Sequence, residues 1–336
     1  MNALTHSMAW VCRTLEGPQA LQWTPMPDRN IPAQHVVVDI AAASMNFPDL
    51  LVVSGKYQFK PELPFTPGCE FSGTISALGA DLQNQGHLHV GQRVAVMGTT
   101  GGFATRCVVP AAQAVALPPE FDLHDGAAFL FTYGTAWHAL MDRANLKPQE
   151  SVFILGAAGG VGSASIQIAK AAQARVIAGV STPDKAQACL DMGADDVVVY
   201  GQHSIKDALK RLTHGQGVDV VLDPVGGPYA EESFRCMAWR GRYLVVGFAQ
   251  GQIPAPPLNL PLLKGASIVG VFWGDFVRRE PAAFQRDLAA LYELYHRGQL
   301  KPVIDSRRPM SALPSAYERM ASRQVVGKLL LVNESS

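Results

Sequence analysis

The stretch Val152-Phe-Ile-Leu-Gly156-Ala-Ala-Gly159-Gly160-Val161-Gly162 runs from four apolar residues into spaced glycines and on into a helical pattern. Val161, Ala164, Ile168 and Ala172 recur at helical spacing, which predicts a helix over 161–172. An apolar strand that turns through glycines into a helix suits a dinucleotide, because its pyrophosphate lies against main-chain N–H groups where the helix dipole is positive. A side chain at 159 would block that approach, and one at 162 would push the helix off the strand. Glycines alone are a weak signal. Here the strand before, the helix after and a following strand at Val176–Val180 supply the required context. Gly156, Ala158, Gly159, Gly160, Val161 and Gly162 are therefore expected to line a bound cofactor.

Downstream the alternation continues. Short apolar runs at Val197–Tyr200, Val218–Leu222, Tyr243–Val246 and Ile268–Phe272 read as strands. Helical stretches at Asp184–Met192, Ile205–Leu212 and Tyr229–Trp239 separate some of them, and Thr135–Arg143 reads as a helix before the first strand. The expected fold is α/β, with a doubly wound parallel sheet covered on both faces. Residues 126–274 form that cofactor domain. The N-terminal third reads differently, with short β runs at Val36–Ile40, Gly73–Leu78, Arg93–Met97 and Ala104–Val109 and one short helix over Pro48–Ser54. Past the sheet come an amphipathic helix over Pro281–Arg297, a β segment at Val303–Asp305, a helix at Ser315–Ser322 and a last strand at Lys328–Val332.

The second strand ends at Ser181, near where an NAD enzyme places an acidic residue on the ribose 2′-hydroxyl. Ser181 is neutral and Lys185 follows it. A carboxylate would repel a 2′-phosphate, whereas a hydroxyl and an ammonium suit one, so NADP(H) is favoured. A solvated helix lysine is the competing reading of Lys185.

Composition narrows the function further. Lys plus Arg and Asp plus Glu are each 28, so the neutral chain has no general field for nucleic acid or acidic membrane. No apolar run approaches the ~18 residues that span a bilayer. Five scattered cysteines without a CxxC pair argue for reduced thiols in the cytoplasm. There is no GxSxG elbow, HExxH or P-loop. His87 and His89 read as a solvated loop rather than a metal pair, and His138 as a packed helix residue. Cys69-Glu70 is a possible ligand pair without an evident partner set.

Beyond the glycine turn, further segments carry a resemblance. They are Asn46-Phe-Pro-Asp49, Ser54-Gly-Lys-Tyr57, Pro67-Gly-Cys-Glu70-Phe-Ser-Gly73, Gly91-Gln-Arg-Val94, Gly101-Gly-Phe-Ala104, Thr132-Tyr-Gly-Thr135, Asp223-Pro-Val-Gly226, Val246-Gly-Phe248 and Gly327-Lys328. Over Met8–Val332 the chain resembles the medium-chain dehydrogenase/reductase superfamily, specifically its zinc-free, zeta-crystallin-like quinone oxidoreductase branch. Met1–Ser7 read as an added, mobile leader. Asn46 stands where zinc alcohol dehydrogenases carry a zinc-binding cysteine, and Cys69 where they carry a histidine, so no catalytic metal is expected.

The resemblance implies a GroES-like, mostly β catalytic domain built from residues 1–125 and 275–336, with the Rossmann domain between. It implies a 2′-phosphate cradle of Ser181, Lys185, Tyr200 and Arg323; an exposed helix-end arginine is the other reading of Arg323. Thr132, Gly247, Phe248, Phe272 and Trp273 are implied around the nicotinamide, and homodimers form through the strand Ile268–Phe272. The implied reaction is hydride transfer from NADPH to a quinone or enone in the interdomain cleft. Asn46 and Tyr57 are the candidate hydrogen-bond donors to the acceptor oxygen. Asp49 belongs to the same catalytic set but is expected to brace the helix. Tyr57 reads equally as a stacking wall.

Two rivals stay open. An enoyl-thioester or 2-alkenal reductase would use the same fold on a C=C bond, with Arg278-Arg279 or Arg307-Arg308 as a rim for a thioester carrier. An NADPH-binding structural or RNA-binding protein with little turnover is the rival from another class.

Overall fold

The computed structural model describes residues 7–27, 30–83, 86, 88–98, 100–202 and 204–333. The chain divides into two compact units. One comprises the residues up to Phe131 and those from Ile304 on; the other is Thr132–Val303. Residues 275–303 thus group with the middle unit, where the sequence reading had grouped them with the chain ends. The reason lies in the helix Pro281–His296, which buries Phe284, Leu288 and Leu291, with the Trp273 ring 6.1 Å from that of Phe284.

The middle unit holds a six-stranded, all-parallel sheet. Across it run Asp196–Val199, Arg175–Val180, Ser151–Leu155, Val218–Asp223, Met237–Val245 and Ser267–Gly270. In chain order that is third, second, first, fourth, fifth, sixth, the Rossmann order. Val152, Phe153, Ile154 and Leu155 of the first strand are wholly buried, as an apolar run covered on both faces must be. Strand order reverses between the first and fourth strands, and the glycine turn lies at the carboxyl end of the first, where doubly wound sheets bind ligands.

Of the boundaries that differ from expectation, three shape the middle unit. The stretch expected to be helical over Tyr229–Trp239 is a helix only over Tyr229–Arg235, and Met237 already begins the fifth strand. The expected helix Thr135–Arg143 is an α-helix over Leu130–Trp137 that widens to a π-helix over His138–Arg143. The sixth strand is Ser267–Gly270, and Phe272 caps the helix Trp273–Arg279 instead of ending that strand.

The end unit carries a seven-stranded sheet and a separate hairpin, Ser7–Val11 with Gln22–Met26. Ser7 therefore opens a strand rather than ending a leader; residues 1–6 lie outside the described ones. The long strand His35–Ser44 pairs along one side with Glu70–Leu78. Along its other side it pairs with Arg106–Pro110 and then with the C-terminal strand Lys328–Val332. That last pairing brings the two chain ends together at Ser44. Among the described residues no helix is long and apolar enough to cross a membrane.

Candidate active site

In the middle unit Gly156 leaves the first strand at φ +62°, a left-handed conformation that favours glycine. The amide of Gly159 then closes a tight turn onto the Gly156 carbonyl at 2.9 Å, and the helix Gly160–Ala171 begins. The first-turn amides of Gly160, Val161 and Gly162 have no hydrogen-bond partner among the described residues. At Gly159 an added Cβ would touch the Gly156 carbonyl oxygen at 3.3 Å and no other atom within 4 Å, so the turn is crowded only from below. At Gly162 the space is closed by backbone: a Cβ would fall 2.6 Å from both Cα and O of Ala157. Open amides at a helix amino end, with clear space before them, fit a pyrophosphate.

Other expected cofactor residues gather at the same sheet edge. Tyr200 N–H donates to the Val180 carbonyl at 3.0 Å, which sets it beside the start of the Ser181 turn, and its ring lies 4.5 Å from that of Tyr229. Ser181 is exposed, and Lys185 stands in the first turn of the helix Pro183–Asp191. Arg323 lies in the end unit, at φ +57° between the helix Leu313–Ala321 and the last strand.

Gly247 and Phe248 are positioned by a group that the sequence reading quoted only as part of a matching segment. Buried Asp223 accepts the Tyr243 hydroxyl at 2.5 Å and the amides of Val225 and Gly226 at 2.8 and 2.7 Å. Its carbonyl accepts the amides of Val246 and Gly247. Burial raises its carboxyl above the ordinary value against those bonds. Thr132 is buried, and Trp273 is 4% exposed and packs on Gly134, while Phe272 is 61% exposed. Trp273 thus packs within this unit and Phe272 is accessible.

In the end unit Asn46, Asp49 and Tyr57 come together. Asn46 precedes the helix Phe47–Val53, and its amide donates to Asp49 Oδ2 at 2.8 Å, the bracing role expected of Asp49. Asp49 Oδ1 accepts from the Cys69 amide at 3.1 Å. Burial pushes the Asp49 carboxyl up to about 6, against the Asn46 amide and the Lys328 ammonium. Burial, then the charges of Asp49 and Glu70, hold the Cys69 thiol well above its ordinary value, so it stays protonated. Tyr57 is half-buried; desolvation raises its hydroxyl, helped by Cys69 and Asp49 nearby.

Two residues of this cluster went unassigned in the sequence. Lys328 and Glu70 are both buried, and Nζ of Lys328 lies 2.5 Å from Asn46 Oδ1 and 3.2 Å from Glu70 Oε2. Glu70 Oε2 also accepts from Ser44 Oγ at 2.7 Å and Asn46 Nδ2 at 3.1 Å, and Oε1 accepts the Phe131 amide at 2.8 Å. Glu70 stood out only in the Cys69-Glu70 pair and both residues only within matching segments, with nothing to mark them as an ion pair.

The other singled-out groups are structural. His138 is buried, stacks on Phe276 with ring centroids 4.2 Å apart and sits 2.8 Å from Asp142; burial lowers its basicity. His89 is exposed, and His87 lies outside the described residues. Arg278 and Arg279 stay exposed but share Asp275, which offsets one of their two charges, and Arg308 donates to Ser315.

Comparison with known proteins adds the following. Residues 32–119 match the family described as alcohol dehydrogenase GroES-like domain, and residues 160–292 the one described as zinc-binding dehydrogenase. The chain is 36% identical over 327 residues to rat (Rattus norvegicus) quinone oxidoreductase-like protein 2, covering 97% of this chain and 92% of that protein. It is 31% identical over 319 residues to the Homo sapiens quinone oxidoreductase, covering 94% of each. A crystal structure of Escherichia coli quinone oxidoreductase complexed with NADPH superposes with a TM-score of 0.89 at 27% identity, covering 97% of this chain and 99% of that one.

The zinc in one of those descriptions does not fit this chain's donors. Asn46 Oδ1 already accepts from an ammonium, and a zinc ion there would face a buried cation. Among the described residues no group of three or more His, Cys, Asp or Glu is placed to hold a metal.

Proposed function

The chain belongs to the medium-chain dehydrogenase/reductase family, in its zinc-free quinone oxidoreductase branch, and on that premise we propose that it is an NADPH-dependent oxidoreductase delivering hydride to a quinone or another conjugated carbonyl without help from a metal. The observation that carries the reading is the glycine turn at the point of strand-order reversal, with three unpartnered first-turn amides. Bound NADPH supplies the hydride, and with one proton from solvent a quinone leaves as the hydroquinone.

The chain's own residues bind, orient and polarise. The amides of Gly160–Gly162 hold the pyrophosphate, and Ser181, Lys185 and Tyr200 hold the 2′-phosphate, a part that the sequence resemblance also gives to Arg323. Gly247 and Phe248, fixed by Asp223, flank the nicotinamide. Asn46 donates from Nδ2 to the acceptor oxygen, and Tyr57 walls the pocket. No strong general acid is needed, because a reduced quinone is phenol-like and leaves as a weak base.

The pairing of Arg278, Arg279 and Arg308 with their own neighbours speaks against a rim for a thioester carrier. The test is NADPH oxidation by purified protein with 1,4-benzoquinones, a 2-alkenal and crotonyl-CoA. The expected preference is for quinones; selective turnover of crotonyl-CoA overturns the choice of acceptor, and no turnover with any of them overturns the enzyme reading.

The same proposal includes a homodimer in a reducing, cytoplasmic setting, which suits the five free thiols. The strand Ser267–Gly270 forms one edge of its sheet, and Ile268, Trp239, Leu258, Leu262, Leu263 and Phe272 stand exposed on that unit. An apolar patch at an open strand edge is covered most economically by the same patch of a second copy. Light scattering on the eluting protein is expected to give twice the chain mass. An Ile268→Lys/Leu262→Asp variant should give the monomer mass; a monomeric parent chain contradicts the dimer.

A further inference from the structure

Three chemical facts about the end unit stand together. First, an ammonium is held almost dry: Lys328 is 4% exposed, and its partner Glu70 is wholly buried. The topology delivers it, since the last strand pairs antiparallel with His35–Ser44 and the Met45 amide donates to the Leu329 carbonyl at 3.0 Å. Second, Glu70 is saturated by Ser44, Asn46, Lys328 and the Phe131 amide, so it is fixed in place. Third, the Asn46 carboxamide has one permissible orientation. Its oxygen faces the ammonium and its nitrogen faces the carboxylate. Flipping it would set NH₂ against the ammonium and oxygen against the carboxylate.

A buried ion pair is weak evidence for stability, because desolvating both charges offsets much of their attraction. Packing alone would be met by apolar residues at 70 and 328. What the pair does accomplish is local. An ammonium on the oxygen of a carboxamide draws density from its nitrogen and strengthens the N–H donors. Glu70 Oε2 and Ser44 Oγ, themselves hydrogen-bonded, lie on one side of Nδ2 and share one of its hydrogens; among the described residues the other has no acceptor. That hydrogen is the one free to meet an oxygen on which negative charge develops.

We infer that Lys328, locked by Glu70, is a positioning residue for the reduction: it orients the Asn46 carboxamide and polarises it through its oxygen. The inference rests on the reading of Asn46 as donor to the acceptor oxygen. Lys328 passes no proton to the acceptor. As the hydride and its electron pair reach the acceptor, charge builds on the acceptor oxygen, and solvent supplies the neutralising proton.

The test is Lys328→Met, alone and with Glu70→Gln so that no charge is left buried without a partner, alongside Asn46→Ala and the Lys328→Met/Asn46→Ala pair. Each variant is followed with a series of acceptors whose reduced forms differ in acidity. Expected are an unchanged NADPH dissociation constant and a fall in kcat of about 10- to 100-fold, somewhat below the loss of a direct oxyanion donor. The loss should grow as the reduced acceptor becomes less acidic, because a more basic oxygen has more charge to stabilise. Lys328→Arg should recover part of it. On the Asn46→Ala background Lys328→Met should add little. A loss equal for all acceptors, or fully additive with Asn46→Ala, overturns the inference in favour of a purely structural lysine. If Asn46→Ala alone leaves kcat intact, the reading of Asn46 fails and takes the inference with it. If the double-charge variant Lys328→Met/Glu70→Gln keeps full kcat, the inference fails while the function stands.

Discussion

Gly162→Ala is expected to abolish useful NADPH binding, weakening it by about 100-fold or more, the scale of loss from displacing a binding group by an ångström. The new Cβ would meet the Gly156 carbonyl oxygen and lie 2.6 Å from two backbone atoms of Ala157. Backbone cannot swing aside as a side chain can, so either the turn or the helix Gly160–Ala171 must move. The first-turn amides then no longer point at one phosphate position. Gly159→Ala is the informative contrast. Its Cβ meets a single atom, the Gly156 carbonyl oxygen at 3.3 Å, so melting should fall far less than for Gly162→Ala while binding falls, because the methyl occupies ligand space. Fluorescence titration with NADPH beside thermal melting separates the two. A Gly162→Ala chain that binds normally would mean that the cofactor sits elsewhere.

Lys185→Ala and Arg323→Ala are each expected to weaken NADPH binding by about 10- to 100-fold, the worth of a charge-assisted hydrogen bond to phosphate, and to leave NADH nearly untouched. Ser181, Lys185 and Tyr200 follow the carboxyl ends of two adjacent strands, where a phosphate on the adenosine ribose would lie. The discriminating quantity is the ratio of the two dissociation constants. It should shift toward NADH in both variants. Equal losses for the two cofactors would assign these side chains to the fold rather than to the phosphate.

The cofactor part of the fold was legible because its signals are local. Four apolar residues, a glycine turn and a helical repeat stand within 21 consecutive residues, 152–172. The strand Arg93–Met97, the helix Ile205–Leu212 and the strand Lys328–Val332 have the bounds the sequence predicts. Local pattern failed where tertiary pairing decides. Residues 237–239 continue a helical pattern, yet they lie in a strand, where Met237 pairs with Val218 across an irregular register. The hairpin Ser7–Val11/Gln22–Met26 gains its burial from distant chain, with Trp10 Nε1 donating to the Met310 carbonyl 300 residues away.

The same distinction runs through the site. Asn46 and Asp49 sit one helical turn apart and could be read together. Lys328 is separated from Glu70 by 258 residues, and neither residue type nor spacing announces that they meet in the interior. Asp223 was visible as part of a motif, but its hold on Gly247 depends on adjacent parallel strands and appears only once the sheet is assembled.

Hydride transfer from NADPH to an electrophilic carbonyl by a dinucleotide turn and a buried ammonium-polarised amide needs no metal. The most direct measurement is the rate of NADPH-dependent quinone reduction by enzyme exhaustively dialysed against chelator, with its metal content determined in parallel. An unchanged rate at negligible metal content is expected. A rate that vanishes with the metal and returns in proportion to added zinc would contradict it.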